Sequence, residues 1–340
     1  MDYLDFEKPL VEIEQHIAQL KEKAKTENMD FSDTIKQLEA EVLQKKKKLF
    51  ENLEPYQRLK IARHPKRPLA ADYIDLIFSD FTELHGDRLF GDDPAIITGL
   101  AKIGNNPVMI VAQEKGRNTK DKLFRNFGTA HPEGYRKALR IMKTAAKFGL
   151  PIIIFIDTPG AFPGVSAEER GQAGAIAVNL KEMMYLDVPV IPIIIGEGGS
   201  GGALGVGIGD KIIMLEHAYY SVISPEGCSA ILWKTQEKAA DAAKSLKMNV
   251  ADLLEFGIID EALKEPLGGA HKNPELMAEN MKKSILNSLE ELKSFSKKDL
   301  LDKRYEKFRQ IGVYLSDKDI SSEHETQISD IEIEEEITTA

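Results

Sequence analysis

The residues best suited to chemistry in this chain are crowded glycines. Residues 193–204 read Ile193-Ile194-Ile195-Gly196-Glu197-Gly198-Gly199-Ser200-Gly201-Gly202-Ala203-Leu204, an apolar run that passes straight into a turn almost free of side chains. Glycine admits positive φ and leaves its N–H uncovered, so such a turn at a helix start can aim several donors at one negative oxygen. The pattern predicts a backbone oxyanion site, although tight turns and close helix packing also use glycine. A second segment, Asp157-Thr158-Pro159-Gly160-Ala161-Phe162-Pro163-Gly164, likewise leaves a short apolar run and enters a helical one. Two strand ends of one kind predict one pocket at one edge of a sheet.

Other motifs claim the same residues. Gly196-x-Gly198-x-x-Gly201 fits the dinucleotide fingerprint, with Glu216 in the position of the ribose-binding acid. The glycines Gly205, Gly207 and Gly209 argue against it, because they leave too little chain for a crossover helix. Gly198-x-Ser200-x-Gly202 fits a nucleophile elbow, which makes a serine-type acyl hydrolase using Ser200 an alternative, with His217 or His271 following in hydrolase order. Neither histidine lies in a setting that marks it as a base. No phosphate-binding loop is present, so Asp157-Thr158-Pro159-Gly160 is not a GTPase switch.

A third feature is charge. Residues 115–147 hold ten bases, among them Lys115, Arg117 and Arg125, against the two acids Asp121 and Glu133. Such a cluster suits a phosphorylated cofactor such as coenzyme A, an RNA backbone, an acidic partner, or solvent alone. A noncatalytic scaffold or RNA-binding subunit is therefore a further alternative, but the aromatics Phe124, Phe127 and Tyr135 interleave too sparsely for single-strand binding. The run Lys45 to Lys48 sits among glutamates and reads as a solvated helix face.

The elements that must position these residues follow from periodicity. Residues 9–53 carry two apolar stripes at helical spacing with a break near 28–33, predicting a helical hairpin, and a basic proline-punctuated link, residues 62–68, follows. Strands are predicted at 95–103, 107–114, 151–156, 189–195, 211–215 and 219–223, with helices at 71–84, 132–147 and 167–186 between them. Apolar strands alternating with helices predict an α/β domain, residues 69–265, with its sheet covered on both faces. Two amphipathic helices, 274–294 and 298–313, are expected to close a C-terminal region, 266–314.

Composition sets outer bounds. The chain's 340 residues, 42% of them hydrophobic, suffice for a large core. The net charge of -10 comes mostly from residues 315–340, which hold nine acids and the single base Lys318 and are expected to be disordered. A lone cysteine, Cys228, and no Cys/His cluster predict a reducing compartment and no structural zinc. The acidic first residues and the short apolar runs predict neither export nor a membrane anchor, hence a cytoplasmic protein.

Over residues 3–315 the chain closely resembles the carboxyltransferase α subunits of bacterial multi-subunit acetyl-coenzyme A carboxylase, within the crotonase-like superfamily. The resemblance rests on Ala62-Arg63-His64-Pro65, Lys115-Gly116-Arg117, Arg125-Asn126-Phe127-Gly128, the run from Pro132 to Arg140, Asp157-Thr158-Pro159-Gly160-Ala161, Glu168-Glu169-Arg170-Gly171-Gln172, the Gly196 to Leu204 run, Ser221 to Cys228, and Pro266 to His271. It implies a crotonase-like fold of repeated ββα units, with the helical hairpin before it and helices after it. It also implies transfer of a carboxyl group from carboxybiotin, presented by a biotin carboxyl carrier protein, to acetyl-CoA. The product would be malonyl-CoA, the first committed step of fatty acid biosynthesis, with biotin carboxylase as a further partner. The site would be shared with a β subunit carrying a zinc ribbon, in an α2β2 assembly, and this chain would hold no metal and no covalent cofactor. By the resemblance, the N–H groups of Gly201 and Gly202 steady the biotin ureido oxygen as CO2 departs, while the β subunit steadies the thioester enolate. Gly198, Gly199 and Ala203 belong to the same turn, Gly160, Ala161, Phe162, Pro163 and Gly164 line the pocket, and Lys115, Arg117 and Arg125 are candidate anion binders. A side chain at Gly202 is expected to block the donors without unfolding the chain.

Overall fold

The two most apolar runs of the sequence become adjacent parallel strands, and the rest of the fold is arranged about them. The computed structural model describes residues 3–26 and 30–312, so the expected tail at 315–340 and part of the break near 28–33 lie outside the described residues. Helices α1 (Lys8–Thr26) and α2 (Ser32–Glu51) pair as a hairpin, bridged by Lys21 Nζ and Glu39 Oε1 at 2.7 Å, and are followed by α3 (Pro55–Ala62) and α4 (Ala70–Ile77). Then come β1 (Ser79–Glu83), β2 (Ile96–Ile103), β3 (Asn106–Gln113), α5 (Thr119–Phe124), α6 (Pro132–Lys147) and β4 (Ile152–Thr158). Helices α7 (Val165–Glu169) and α8 (Gln172–Met183) lead to β5 (Val190–Gly199), α9 (Ser200–Leu204), β6 (Ile213–Leu215), β7 (Tyr219–Ser221) and α10 (Pro225–Trp233). The described chain closes with α11 (Ala239–Ser245), α12 (Val250–Glu255), β8 (Glu261–Leu263), α13 (Pro274–Lys293) and α14 (Lys297–Arg309).

The strands form one mixed sheet in the order β1-β2-β3-β4-β5-β6-β8, with β7 also paired to β5. The β1–β2–β3 end is antiparallel and every pairing from β3 onward is parallel. Every residue of β4 and β5 is buried, as expected of central parallel strands covered on both faces. Helix α6 opens with Pro132 at its first turn, where the missing N–H loses nothing, and lays Tyr135, Ala138, Ile141, Met142 and Ala145 into the core. The chain is thus α/β, with helices at both ends. No helix among the described residues is long and apolar enough to cross a membrane.

Three local expectations are corrected, and one strand was not foreseen. The helix expected at 71–84 stops at Ile77, and Ser79–Glu83 joins the sheet as an edge strand. Helical spacing runs on through Phe78 and Phe81, but pairing with β2 prevails because Gly99 lets the Phe81 ring lie where a Cβ would sit 2.6 Å from it. The helix expected at 167–186 is broken by Gly171 at φ +81° into α7 and α8. The three-residue strand β8 lacked a period long enough to read, yet it extends the sheet beyond β6. Residues 196–199, expected as a turn, continue β5, and the helix starts only at Ser200.

The C-terminal helix is tied down by one buried side chain. Arg304 pairs through Nε and Nη2 with the Asp210 carboxylate at 2.8 and 2.7 Å and donates to the carbonyls of Met183, Leu186 and Val188. Asp210 Oδ2 also accepts from Val190 N at 2.7 Å, so the lock holds the start of β5.

Candidate functional site

The site is built where β4 and β5 end side by side. Their register runs Ile156 opposite Ile194 and then Thr158 opposite Gly198, so β5 carries extra residues and bulges between these pairs. Beyond the bulge the two chain ends meet backbone to backbone. A Cβ at Gly199 would lie 2.3 Å from Pro159 O, and one at Gly202 would lie 2.4 Å from Gly160 C and 2.5 Å from Ala161 N. Glycine is required at both positions because only a bare backbone fits. Gly201 differs, since a Cβ there meets nothing nearer than Ile176 Cδ1 at 3.7 Å.

Helix α9 opens at this junction. The first N–H groups of a helix have no intrahelical acceptor, and in α9 these belong to Ser200, Gly201 and Gly202. Its carbonyls are engaged: Gly202 O accepts from Gln113 Nε2 at 2.8 Å and Tyr135 Oη at 3.3 Å, and Gly205 O accepts from Asn179 Nδ2 at 2.8 Å. The N–H end is therefore held rigidly by contacts to its opposite end. Ser200 itself sits at φ +52°, an uncommon conformation for a side-chain-bearing residue and the pivot from strand to helix.

The facing turn is pinned just as closely. Thr158 Oγ1 lies 2.7 Å from Gly128 O and 2.8 Å from Gly160 O, and it accepts from Gly160 N at 3.1 Å. Phe162 N donates to Ala130 O at 3.0 Å, Phe162 O accepts from Gln172 Nε2 at 3.0 Å, and the Phe162 ring stacks on His131 at 4.1 Å. Gly164 leaves room for that ring, whose Cε1 would be 2.3 Å from an added Cβ. The structure thus brings Gly202 against Gly160 and Ala161 and Gly199 against Pro159, with Phe162 and Gly164 packed on each other in the same turn and Gly201 and Ala203 in the same short helix. Pro163 lies on the exposed outer side of its turn, while Gly198 packs against Tyr220 below.

The three expected anion binders are not free. Lys115 Nζ is 2.6 Å from both Asp157 Oδ1 and Glu197 Oε1, Arg117 pairs with Asp72, and Arg125 Nε binds Asp121 Oδ1 at 2.9 Å while its Nη1 donates to Pro94 O at 2.8 Å. Further along, Arg136 meets Asp87, Lys137 meets Asp92, Lys143 meets Glu182, and Arg140 caps the carbonyls of His85 and Gly86. Half of the ten bases, Lys115, Arg117, Arg136, Lys137 and Lys143, are thus answered by acids distant in sequence. That weakens the observation behind an RNA-binding surface.

Sequence reasoning missed the acids and the linker. Asp157 and Glu197 occupy like positions at the two strand ends, and Glu197 Oε2 accepts from Arg63 Nε at 2.7 Å and Tyr219 Oη at 2.8 Å. The link at 62–68, expected only to connect, folds against the sheet. Arg67 is buried, gripping Glu265 through Nη1 and Nη2 at 3.0 and 2.6 Å and donating from Nε to Ile195 O at 2.8 Å. These groups wall a cleft of about 280 Å³ lined by Arg63, His64, Lys115, Phe127, Asp157 and Glu197. Burial alone would raise the Glu197 carboxyl, but the Lys115 and Arg63 charges outweigh it and hold the group at about 2. Burial likewise works against the charged form of Lys115, and the two carboxylates outweigh it and raise the ammonium.

The remaining motif readings lose their geometry. His217 contacts Arg58 Nη1 at 3.3 Å, and His271 stacks on His64 at 3.8 Å, so neither is hydrogen-bonded to Ser200. Burial and nearby cations depress His64 to about 4 and His271 to about 3. Glu216 accepts from Glu265 N at 3.1 Å, far from a ribose-binding role, and α9 is too short for a dinucleotide crossover helix. No three His, Cys, Asp or Glu residues come together as metal ligands among the described residues.

Known proteins bear on this geometry. Residues 3–312 match the family model described as acetyl co-enzyme A carboxylase carboxyltransferase-like. The acetyl-coenzyme A carboxylase carboxyl transferase subunit alpha of Trichodesmium erythraeum is 54% identical over 313 residues, 92% of this chain and 97% of that one. That of Geobacter metallireducens is 53% identical, covering 91% of this chain and 97% of the relative. Among solved structures, the transcarboxylase 12S core with methylmalonyl-coenzyme A and methylmalonic acid bound aligns with a TM-score of 0.54 at 17% identity, over 67% of this chain and 43% of that chain. A Pseudomonas malonate decarboxylase hetero-tetramer in complex with coenzyme A aligns at 0.51 with 13% identity, over 72% of this chain and 93% of that one.

Proposed function

The chain belongs to the acetyl co-enzyme A carboxylase carboxyltransferase family, and from that premise we propose how its paired glycine turns serve carboxyl transfer. Like those relatives it is an α-type subunit of the carboxyltransferase, moving a carboxyl group from carboxybiotin to acetyl-CoA to give malonyl-CoA. Breaking the biotin N–CO2 bond leaves negative charge shared between the ureido nitrogen and oxygen, and that nitrogen takes up the methyl proton of acetyl-CoA, leaving the charge on the thioester oxygen. The enolate carbon then bonds to CO2.

The N–H groups of Gly201 and Gly202 meet the ureido oxygen. The observation that supports this reading is the contact of Gly202 with Gly160 and Ala161, which sets a rigid helix start into a wall without side chains. Donors fixed before the charge develops need no reorganisation, and one such donor contributes about 10² to 10³ in rate. A nucleophilic side chain is unnecessary, in keeping with the lack of a base at Ser200. Gly160, Ala161, Phe162 and Gly164 shape the opposite wall. Lys115 serves that wall by pairing with acids, not by binding a substrate anion.

A homologous β subunit supplies the second oxyanion site, together with its zinc ribbon, in an α2β2 assembly. Val165 and Leu204, 75% and 42% exposed beside the turns, form part of the surface it covers. The biotin carboxyl carrier protein presents the donor, recharged by biotin carboxylase, in the cytoplasm, at the first committed step of fatty acid biosynthesis. Coexpression with the cognate β subunit tests the assignment. Malonyl-CoA-dependent carboxylation of free biotin should require both chains; activity of the β subunit alone would sink it.

A further inference from the structure

We propose that Lys115 is a positioning residue of the carboxyl-transfer site, bridging Asp157 and Glu197 so that the β5 bulge holds Gly199 to Gly202 against the Pro159 to Ala161 turn. The inference rests on the reading of these turns as the site.

The bulge is the only place where β4 and β5 lose register, and both acids stand in it. Asp157 Oδ1 accepts from Glu197 N at 2.8 Å, and it occupies the space above Gly196, where a Cβ would come within 2.5 Å of it. One carboxylate of β4 thus holds the backbone of β5 at the start of the glycine run. The same oxygen binds Lys115 Nζ at 2.6 Å, and Lys115 binds Glu197 Oε1 at 2.6 Å. Without the ammonium, the buried Asp157 carboxylate would lose its cation while Glu197 kept Arg63, and the two carboxylates would repel each other across the bulge.

The loop before α6 is shaped to admit Lys115. Asn126, Phe127 and Gly128 are consecutive left-handed residues at φ 48°, 56° and 80°, a rare conformation for the first two. A Cβ on Gly128 would strike Lys115 Cγ at 2.7 Å, so this strained loop clears the path of the lysine stem. The other charged or titratable groups around the bridge are Arg63, Arg67, Tyr73, Glu114, Tyr219 and Glu226. Arg63 answers Glu197 and Glu226, and Arg67 answers Glu265. Glu114 accepts from the backbone N–H of Ala71 and Gly116, while burial keeps the Tyr73 and Tyr219 hydroxyls protonated. Among the described residues Lys115 alone bridges Asp157 to Glu197.

The test uses the full complex with the cognate β subunit. Lys115→Gln should lower kcat about 10²-fold, the scale of a small misplacement of catalytic groups, with KM for acetyl-CoA nearly unchanged. Lys115→Gln/Asp157→Asn, which removes the carboxylate left without a cation and keeps an oxygen for the Glu197 N–H, should recover much of the activity. Deuterium uptake over residues 193–204 should increase in the single variant and fall back in the double. Unchanged uptake in Lys115→Gln would overturn the positioning role. Increased uptake with full activity would instead overturn the reading of these turns as the site, leaving the structural hold of Lys115 intact. Should the single variant fail to fold, failure of the folded double variant to restore turnover overturns the proposal.

Discussion

Gly202→Val lowers carboxyl transfer by about 10² to 10³-fold or more, the scale set by losing an oriented oxyanion donor. The cause differs from the one the sequence suggests. A side chain at Gly202 does not simply cover the donors; its Cβ would occupy the space of Gly160 and Ala161, at 2.4 and 2.5 Å, and must drive the two turns apart. Backbone cannot yield there as a flexible side chain can, so stability falls along with turnover. Gly201→Ala is the matched control, because its Cβ meets only Ile176 Cδ1 at 3.7 Å and the variant should keep the wild-type melting temperature. Equal melting temperatures and equal kcat for wild type and Gly202→Val would contradict the account of the paired turns.

Arg67→Met destabilises the fold by about 3–5 kcal/mol, as expected when one partner of a buried ion pair is removed. Arg67 and Glu265 are both buried, and the methionine would strand the Glu265 carboxylate that the arginine holds at about 2 despite burial. Glu265 also accepts from His217 N and Ala270 N, at 3.0 and 2.6 Å, so loosening it frees the segment after β8. Chemical denaturation would measure the change, and Arg67→Met/Glu265→Gln should recover a part of it. A shift below about 1 kcal/mol, the level of an exposed pair, would show that the link at 62–68 is not anchored as described.

Much of the site was legible in the residues because backbone chemistry leaves a strong trace. Only glycine tolerates the contacts at Gly199 and Gly202, so the requirement is written into residue type. Likewise β4 and β5 were readable from isoleucine-rich apolar runs, since strands buried on both faces have no polar alternation. Long-range partners left no such trace. Lys115 and Arg117 looked like part of an anion site because Asp157, Glu197 and Asp72 lie far away in sequence, and only folding brings them within ion-pair distance. The link at 62–68 showed only as a connection for the same reason, since the acids that its arginines meet, Glu197 and Glu265, lie far along the chain. Edge strand β1 was hidden by an apolar spacing that continues α4, and pairing with β2 decided between them.

The most direct measurement replaces the Gly202 peptide N–H by an ester oxygen, through glycolic acid incorporated at that position, and follows single-turnover carboxyl transfer in the complex with the β subunit. This change removes one donor and adds no atom where Gly160 and Ala161 stand. The account predicts a folded complex whose chemical step slows by about 10² to 10³-fold. A rate within about twofold of wild type, well below the loss of one donor, would contradict it.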